Sequence, residues 1–384
     1  MSNELTRREV IKGAAAVAVG ATLASQVKAT EGSYWQTTNR LRFGIIGAGG
    51  KGWSGMELAA AEGDIVALCD VDVNNRLKAM AQHPNAASFQ DYRKMLDLMH
   101  DEIDAVVISI PDHHHYPASM IAMGYGLHSY TEKPLARTVW EIRRMAELAR
   151  KKGVATQMGN QSTANTPMRK VAKVIRQGHF GQAKEVHVWT DRPSGWWPQG
   201  VERPAPADPP KTLDWNIWLG PRPERPYAPG YHPFAWRGWW DFGTGALGDM
   251  GCHIFNMPFM ALDLRDPESI QATTSGHNRD SFPLWSIVNY HFPKRGSRGP
   301  VELTWYDGGK RPDPKLCPDK TYGGNGVIVV CENATIYSPN SENMEFSIVG
   351  GGEIPDVEVE ESPGHMAEFA RAARGGEMCV GNFP

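Results

Sequence analysis

Cysteine is scarce: Cys69, Cys252, Cys317, Cys331 and Cys379 are scattered and odd in number. No CxxC pair occurs, so neither a zinc ribbon nor a disulfide framework is supported, and free thiols are the expectation. No charge sign dominates either. With 40 Lys and Arg against 43 Asp and Glu the net charge is −3, which gives no reason to expect nucleic acid as a partner. Past the leading segment no apolar run is long enough to cross a bilayer, and no internal repeat is visible. What remains is a chain of 384 residues, 41% hydrophobic and 22% charged, long enough for two domains and a substantial core.

The first thirty residues stand apart. Thr6-Arg7-Arg8-Glu9-Val10-Ile11-Lys12 precedes a largely apolar stretch from Ala14 to Ala24, and Val27-Lys28-Ala29 offers small residues at the −3 and −1 positions of a cleavage site. A charged region, an apolar region and a cleavage site in that order make a signal peptide. The paired arginines resemble a twin-arginine signal, which exports proteins already folded. The competing reading is a short buried helix. Residues 1–29 are expected to be removed, leaving a periplasmic or secreted protein.

Arg42 to Ile46, Ile65 to Cys69 and Ala105 to Ile110 read as buried strands, with helical patterns such as Asp91 to Met99 between them. Such alternation means a parallel sheet covered on both faces. Trp140 to Lys152 is strongly helical and Gly153 stops it; Val154 to Met158 is the last strand of this domain. Beyond it, Thr166 to Gln177 reads as a helix and Ala183 to Thr190 as a strand. A Pro- and Trp-rich stretch follows from about 191 to 240. Strand-like runs then come at 270–274, 286–292, 301–306, 327–331 and 346–349, and His365 to Arg374 as a helix. The expected fold class is α/β: an N-terminal Rossmann domain over 41–158 plus an α+β domain over 159–384 with a large open, mostly antiparallel sheet.

Gly47-Ala48-Gly49-Gly50-Lys51-Gly52 fits G-x-G-x-x-G at Gly47, Gly49 and Gly52. The pattern alone is weak, but it directly follows a strand, opens a helix, and precedes a second strand ending at Asp70. Glycines there allow a tight turn and close backbone approach, so that a pyrophosphate sits at the helix N-terminus. Asp70 lies where a carboxylate accepts the adenosine ribose hydroxyls and repels a 2′-phosphate, favouring NAD over NADP. Arg76, six residues on, weighs against that choice.

Two further segments invite chemistry. Glu132-Lys133-Pro134 follows the strand-like Leu127 to Thr131, and Gly245 to His253 heads an apolar helix. Asp249 and His253 are four apart and share a helix face. Oxidising a secondary alcohol needs a hydride acceptor and a group to take the hydroxyl proton; a His positioned by a carboxylate suits that task. A nearby Lys would stabilise the alkoxide. From spacing alone Lys133 could equally be solvated, Asp249 a helix cap and His253 a core histidine.

The glycine turn, Glu132-Lys133-Pro134 and the Gly-x₃-Asp-x-Gly-x-His pattern at 245–253 together resemble the Gfo/Idh/MocA oxidoreductases, from about residue 41 onward. That family joins a Rossmann domain to a sheet-based substrate domain and acts mostly on sugars and inositols. The resemblance implies Lys133 as catalytic lysine, Asp249 as its carboxylate and His253 as proton-transferring histidine. Where the family pattern closes on Asp, this chain has Asn256, so polyol recognition differs. Gly50, Lys51, Ser109, Ile110, Pro111, His115, Glu132 and Lys133 are placed near the cofactor, and Gln161 at the domain interface. His113, His114 and His115 suggest a metal, but neighbours in a strand-like end do not converge on one ion, so no metal is expected. Family members usually continue past Asn382-Phe383 with another helix and strand, so a truncated C-terminal end is expected, as is a homo-oligomer.

Eight tryptophans between 189 and 240 are interleaved with Pro and Arg. Indoles stack on sugar faces, and they also anchor a long loop; both readings stand. Arg192, Trp236, Arg237, Trp239 and Trp240 are the candidates for substrate contact. The chain is thus expected to be an NAD-dependent oxidoreductase acting on a secondary hydroxyl of a sugar, glycoside or inositol-like polyol. An alternative is a redox-neutral glycosidase or lyase working through a transient 3-keto intermediate; a second is a non-catalytic carbohydrate-binding protein. Little free NAD exists outside the cytosol, so an exported enzyme is expected to hold its cofactor tightly.

Overall fold

The computed structural model describes residues 40–340 and 345–383. The twin-arginine segment and its cleavage site lie outside the described residues. Six parallel strands form the first sheet: β1 (Leu41–Ile46), β2 (Gly63–Cys69), β3 (Ala87–Phe89), β4 (Ala105–Ile108), β5 (His128–Glu132) and β6 (Thr156–Gly159), in the order β3-β2-β1-β4-β5-β6. Helices α1 (Lys51–Glu62), α2 (Val73–Gln82), α3 (Tyr92–Met99), α4 (Asp112–Gly124) and α5 (Val139–Lys152) connect them. The order reverses between β1 and β4, and ligands of such sheets bind at the C-terminal edge of that crevice. Local chemistry sets the helix ends. Asp72 and Asp91 cap α2 and α3, and α5 opens with a Thr138–Glu141 capping box and stops at Gly153 in the left-handed region.

The second sheet follows α6 (Thr166–Arg176). Its strands are β7 (Ala183–Thr190), β8 (Ser269–Thr274), β9 (Ser286–Phe292), β10 (Val301–Tyr306), β11 (Asn325–Cys331), β12 (Thr335–Ser338) and β13 (Ser347–Ile348). They lie in the order β13-β12-β11-β7-β10-β9-β8, antiparallel except for β7 beside β10. Between β7 and β8 stand α7 (Trp215–Leu219), α8 (Gly245–Ile254) and α9 (Asn256–Leu262). Apolar residues of α6, α8 and α9 bury one face of this sheet. The expected pairing of a Rossmann domain with a mostly antiparallel second sheet is what the chain forms. All five thiols are free. Among the described residues no helix is long and apolar enough to cross a membrane.

Two expectations need correction. The segment at 112–115 is not strand-like: it is the first turn of α4, where successive side chains fan out around the axis. The last helix, α10 (His365–Ala373), does not pack with the second sheet. Met366, Phe369 and Ala370 join the core formed by Phe43, Ile45 and Met56. Gln157 Nε2 donates to the His365 carbonyl, and the Met158 N–H to that of Gly381. Residues 365–383 therefore complete the first domain, so that domain is not confined to 41–158.

Candidate active site

The nucleotide cleft is built from the glycine turn. Gly47 and Gly50 sit at φ 88° and 52°, and a Cβ on Gly47 would lie 2.3 Å from the Ser109 carbonyl oxygen. No side chain caps α1; the Gly52 and Trp53 N–H groups turn back to the Gly49 and Gly50 carbonyls, which leaves the Lys51 N–H at the first helical position for a ligand. Gly47, Gly49, Gly50, Lys51, Asp70, Ser109, Ile110, Pro111, His115, Glu132 and Lys133 line one cavity of about 570 Å³, a size typical of ligand sites. These residues fit a dinucleotide. Both Asp70 oxygens already accept backbone N–H groups, Oδ2 from Ala48 and Oδ1 from Asp72, each at 2.9 Å. The Asn75 side chain donates to the carboxylate as well, and the lone pair that remains faces the cavity, where a ribose hydroxyl would sit.

Gln161, expected at the domain interface, and Gly52 of the glycine turn stand behind the wall. Gln161 donates to Glu132 Oε1 at 2.8 Å and to the Tyr130 hydroxyl at 3.1 Å, so it orients Glu132. Gly52 packs on the turn itself: a Cβ there would lie 2.0 Å from the Gly47 carbonyl oxygen. Gly52→Ala is expected to abolish NAD binding and to cost about 1–3 kcal/mol of stability. Calorimetric titration with NAD and a thermal melt check this, and unchanged affinity would mean the turn is not the pyrophosphate site.

The Pro- and Trp-rich stretch folds back over the cleft. Ile217, Trp218, His232, Pro233, Phe234, Trp236 and Arg237 are its contribution to the cavity wall. The Val73 N–H donates to the Thr212 carbonyl (2.9 Å) and the Asp214 N–H to that of Val71 (3.2 Å). This pins the strap beside Asp70. His113 and His114 hold its other limb, each placing Nε2 within 2.9 Å of the Trp218 carbonyl oxygen. Burial keeps both imidazoles neutral, pushing His114 down to about 4 and His113 well below the ordinary histidine value. His115 turns elsewhere, to the carbonyls of Pro134 and Ile110. His113 and His114 thus clamp one carbonyl together, while His115 ties other backbone groups.

Beyond the cleft the two domains meet at Asp249. Lys133, at the end of β5, donates from Nζ to Asp249 Oδ1 (2.8 Å) and to its backbone carbonyl (2.7 Å). Arg237 Nε reaches Oδ1 at 3.0 Å and Arg192 Nη1 reaches Oδ2 at 3.1 Å. Burial works to raise the Asp249 pKa, but Lys133, then Arg237 and Arg192, outweigh it and hold the carboxyl well below the usual carboxylate range. The expected orientation of His253 by Asp249 does not occur, because the carboxylate is occupied by three cations. His253 Nδ1 instead faces Asn160 Oδ1 at 3.1 Å. Burial, with Lys133 adding to it, pushes His253 down to about 3, so the ring is neutral.

The residues proposed for substrate contact divide. Arg192 and Arg237 converge on Asp249, and Trp236 lines the cleft. Trp239 does not: it is 2% exposed, packed on Tyr231, with its indole N–H given to the Gly230 carbonyl. The ring of Trp240 lies against Phe282, and Asn256 donates to Thr163 Oγ1 at 3.1 Å. Most indoles of the stretch are core, so the anchoring reading describes them. The exception is Trp196, 49% exposed and lying 4.0 Å under the Arg192 guanidinium. Asn160 escaped sequence reasoning although it stands one residue before Gln161; nothing in its neighbourhood pairs it with a helix 92 residues away.

Known proteins agree with this architecture. The NAD-binding Rossmann model of the Gfo/Idh/MocA oxidoreductase family matches residues 41–160, and the family's C-terminal alpha/beta domain matches 164–298. A glycosyl hydrolase family 109 protein of Solibacter usitatus is 32% identical over 197 residues, 47% of this chain and 44% of that protein. An alpha-N-acetylgalactosaminidase of Shewanella oneidensis is 33% identical over 156 residues, covering 37% and 33%. The chain thus spans less than half the length of these curated relatives. Among solved structures, the WlbA dehydrogenase of Bordetella pertussis, bound to NADH and UDP-GlcNAcA, shares the fold at TM-score 0.61 and 18% identity, over 89% of this chain and 91% of that one. With both family domains matched in order along residues 41–298, the glycine turn and Lys133 lining the cleft and Asp249 paired with that lysine just beyond it, the chain belongs to the Gfo/Idh/MocA family of NAD-binding oxidoreductases.

Proposed function

We propose that the protein oxidises a secondary hydroxyl of a sugar, glycoside or inositol-like polyol. The observation that carries this is the ion pair joining Lys133 of the first domain to Asp249 of the second, with His253 one helical turn from Asp249. NAD, when bound, supplies the hydride acceptor. The neutral His253 takes the hydroxyl proton, and Lys133 stabilises the developing alkoxide. Asp249 holds the ammonium in place, while Arg192 and Arg237 keep Asp249 charged.

A second reading is a redox-neutral glycosidase: a transient ketone at C3 would acidify the neighbouring C2 proton, elimination would release the glycosidic substituent, water would add at C1 of the resulting enone, and the hydride would return to the ketone. The strap over the nucleotide cleft favours it, since a cycle that regenerates its cofactor needs the cofactor to stay. The names of the Solibacter and Shewanella relatives point the same way. So does the leading segment, which fits a protein exported after folding, NAD already inside.

Under the second reading, protein purified without added cofactor is expected to release near-stoichiometric NAD or NADH when denatured and, while native, to cleave a nitrophenyl α-N-acetylgalactosaminide. Empty protein that binds added NAD weakly would leave an ordinary dehydrogenase. No binding at millimolar NAD would sink both readings.

A further inference from the structure

Asn160 follows β6 and is buried at the junction with α8. Its side-chain Nδ2 lies 2.6 Å from the Cys252 carbonyl oxygen, and its Oδ1 lies 3.1 Å from His253 Nδ1. The orientation of an amide is decided by its partners. A carbonyl oxygen only accepts, so the amide nitrogen must be the atom that faces Cys252. That leaves Oδ1 toward the histidine, and Oδ1 can only accept as well. The ring proton therefore sits on Nδ1. A neutral imidazole has one N–H, which leaves the lone pair on Nε2. Nε2 makes no hydrogen bond among the described residues.

We propose that Asn160 is a positioning residue that fixes His253 as the Nδ1–H tautomer, so that Nε2 alone accepts the substrate's hydroxyl proton. In the forward direction the O–H bond breaks and an Nε2–H bond forms; on return the proton goes back to oxygen. The neighbouring carboxylate cannot perform this task, because Asp249 is committed to Lys133, Arg192 and Arg237. An uncharged amide orients the ring without adding a negative charge that would draw a proton onto it permanently. The catalytic consequence rests on the reading of His253 as the base of an alcohol oxidation; the tautomer itself does not.

The test is nitrogen NMR of full-length protein carrying ¹⁵N-labelled histidine, with the His253 signals assigned by difference from His253→Gln. Wild-type protein is expected to show a protonated Nδ1 and a bare Nε2 across neutral pH. Asn160→Leu is expected to move the proton toward Nε2 and to slow turnover by about 10²-fold or more. Asn160→Asp keeps an acceptor on Nδ1, so it should retain the tautomer, restore part of the rate, and shift the acid limb of the pH profile upward. A protonated Nε2 in the wild type would overturn the proposal, and that spectrum decides even if Asn160→Leu fails to fold. A folded Asn160→Leu with its tautomer unchanged would also overturn it. Full turnover in His253→Gln, with the Nδ1–H tautomer confirmed, would instead remove the base reading.

Discussion

Replacing Lys133 with methionine is expected to slow turnover by roughly 10²–10⁴-fold while leaving the fold intact. Methionine has similar length and loses only the ammonium, which serves both as partner of Asp249 and as the positive charge nearest His253 in effect. Arg192 and Arg237 still satisfy the carboxylate, so the melting temperature should change little. The rate is read as absorbance of reduced nicotinamide on mixing with a sugar that the wild type oxidises, and nucleotide content is measured alongside. A loss under tenfold at full occupancy would remove the lysine from the chemistry.

Removing the carboxylate instead of the lysine should have the opposite character. Asp249→Ala leaves Lys133, Arg192 and Arg237 facing one another without a counter-charge, and breaking a buried ion pair from one side costs about 3–5 kcal/mol. Side chains of the three cations remain 14%, 15% and 20% exposed, which sets the expectation at the lower end. The shift in denaturant midpoint at unchanged slope measures it; a shift below about 1 kcal/mol would show that solvent, not Asp249, balances these cations. The pH dependence has a definite sign. The folded carboxyl titrates below its unfolded value of about 3.9, so its stabilisation is complete above that pH and is lost as pH falls toward the folded value. Wild-type stability should therefore drop more steeply below about pH 4 than that of Asp249→Asn.

Much of this was visible in the chain before folding. Past Arg42 and Asp64 near their starts, the strands β1 and β2, like β4, are apolar runs because helices cover both faces of their sheet. The glycine turn announces itself through the strand before it and the helix after it. Asp249 and His253 share a face because they are four apart on α8. What sequence could not show is which partner each group takes. The spacing that suggested a carboxylate orienting His253 is correct on the helix, but three cations from 12 to 116 residues away occupy that carboxylate. The triple histidine misled for a related reason. A polar run with Pro117 just after it lacks the pattern of a buried helix, and it is tolerated only because the Trp218 carbonyl, more than a hundred residues on, accepts from it. Likewise an indole in a core and an indole on a sugar platform look alike until the neighbours are known, which is why Trp239 and Trp196 could not be told apart.

The return of the last helix to the first sheet bears on the order in which the protein is made. Phe369 is wholly buried among strands of the Rossmann core, and the Phe383 N–H donates to Thr156 Oγ1 across 227 residues of chain. Strand β6 is the sheet's outer edge, and an open edge pairs readily with strange strands. During synthesis that edge stays uncovered until the whole second domain has emerged, so closing it is a long-range event with the slow kinetics of high contact order. On the ribosome, the domain that is begun first is finished last.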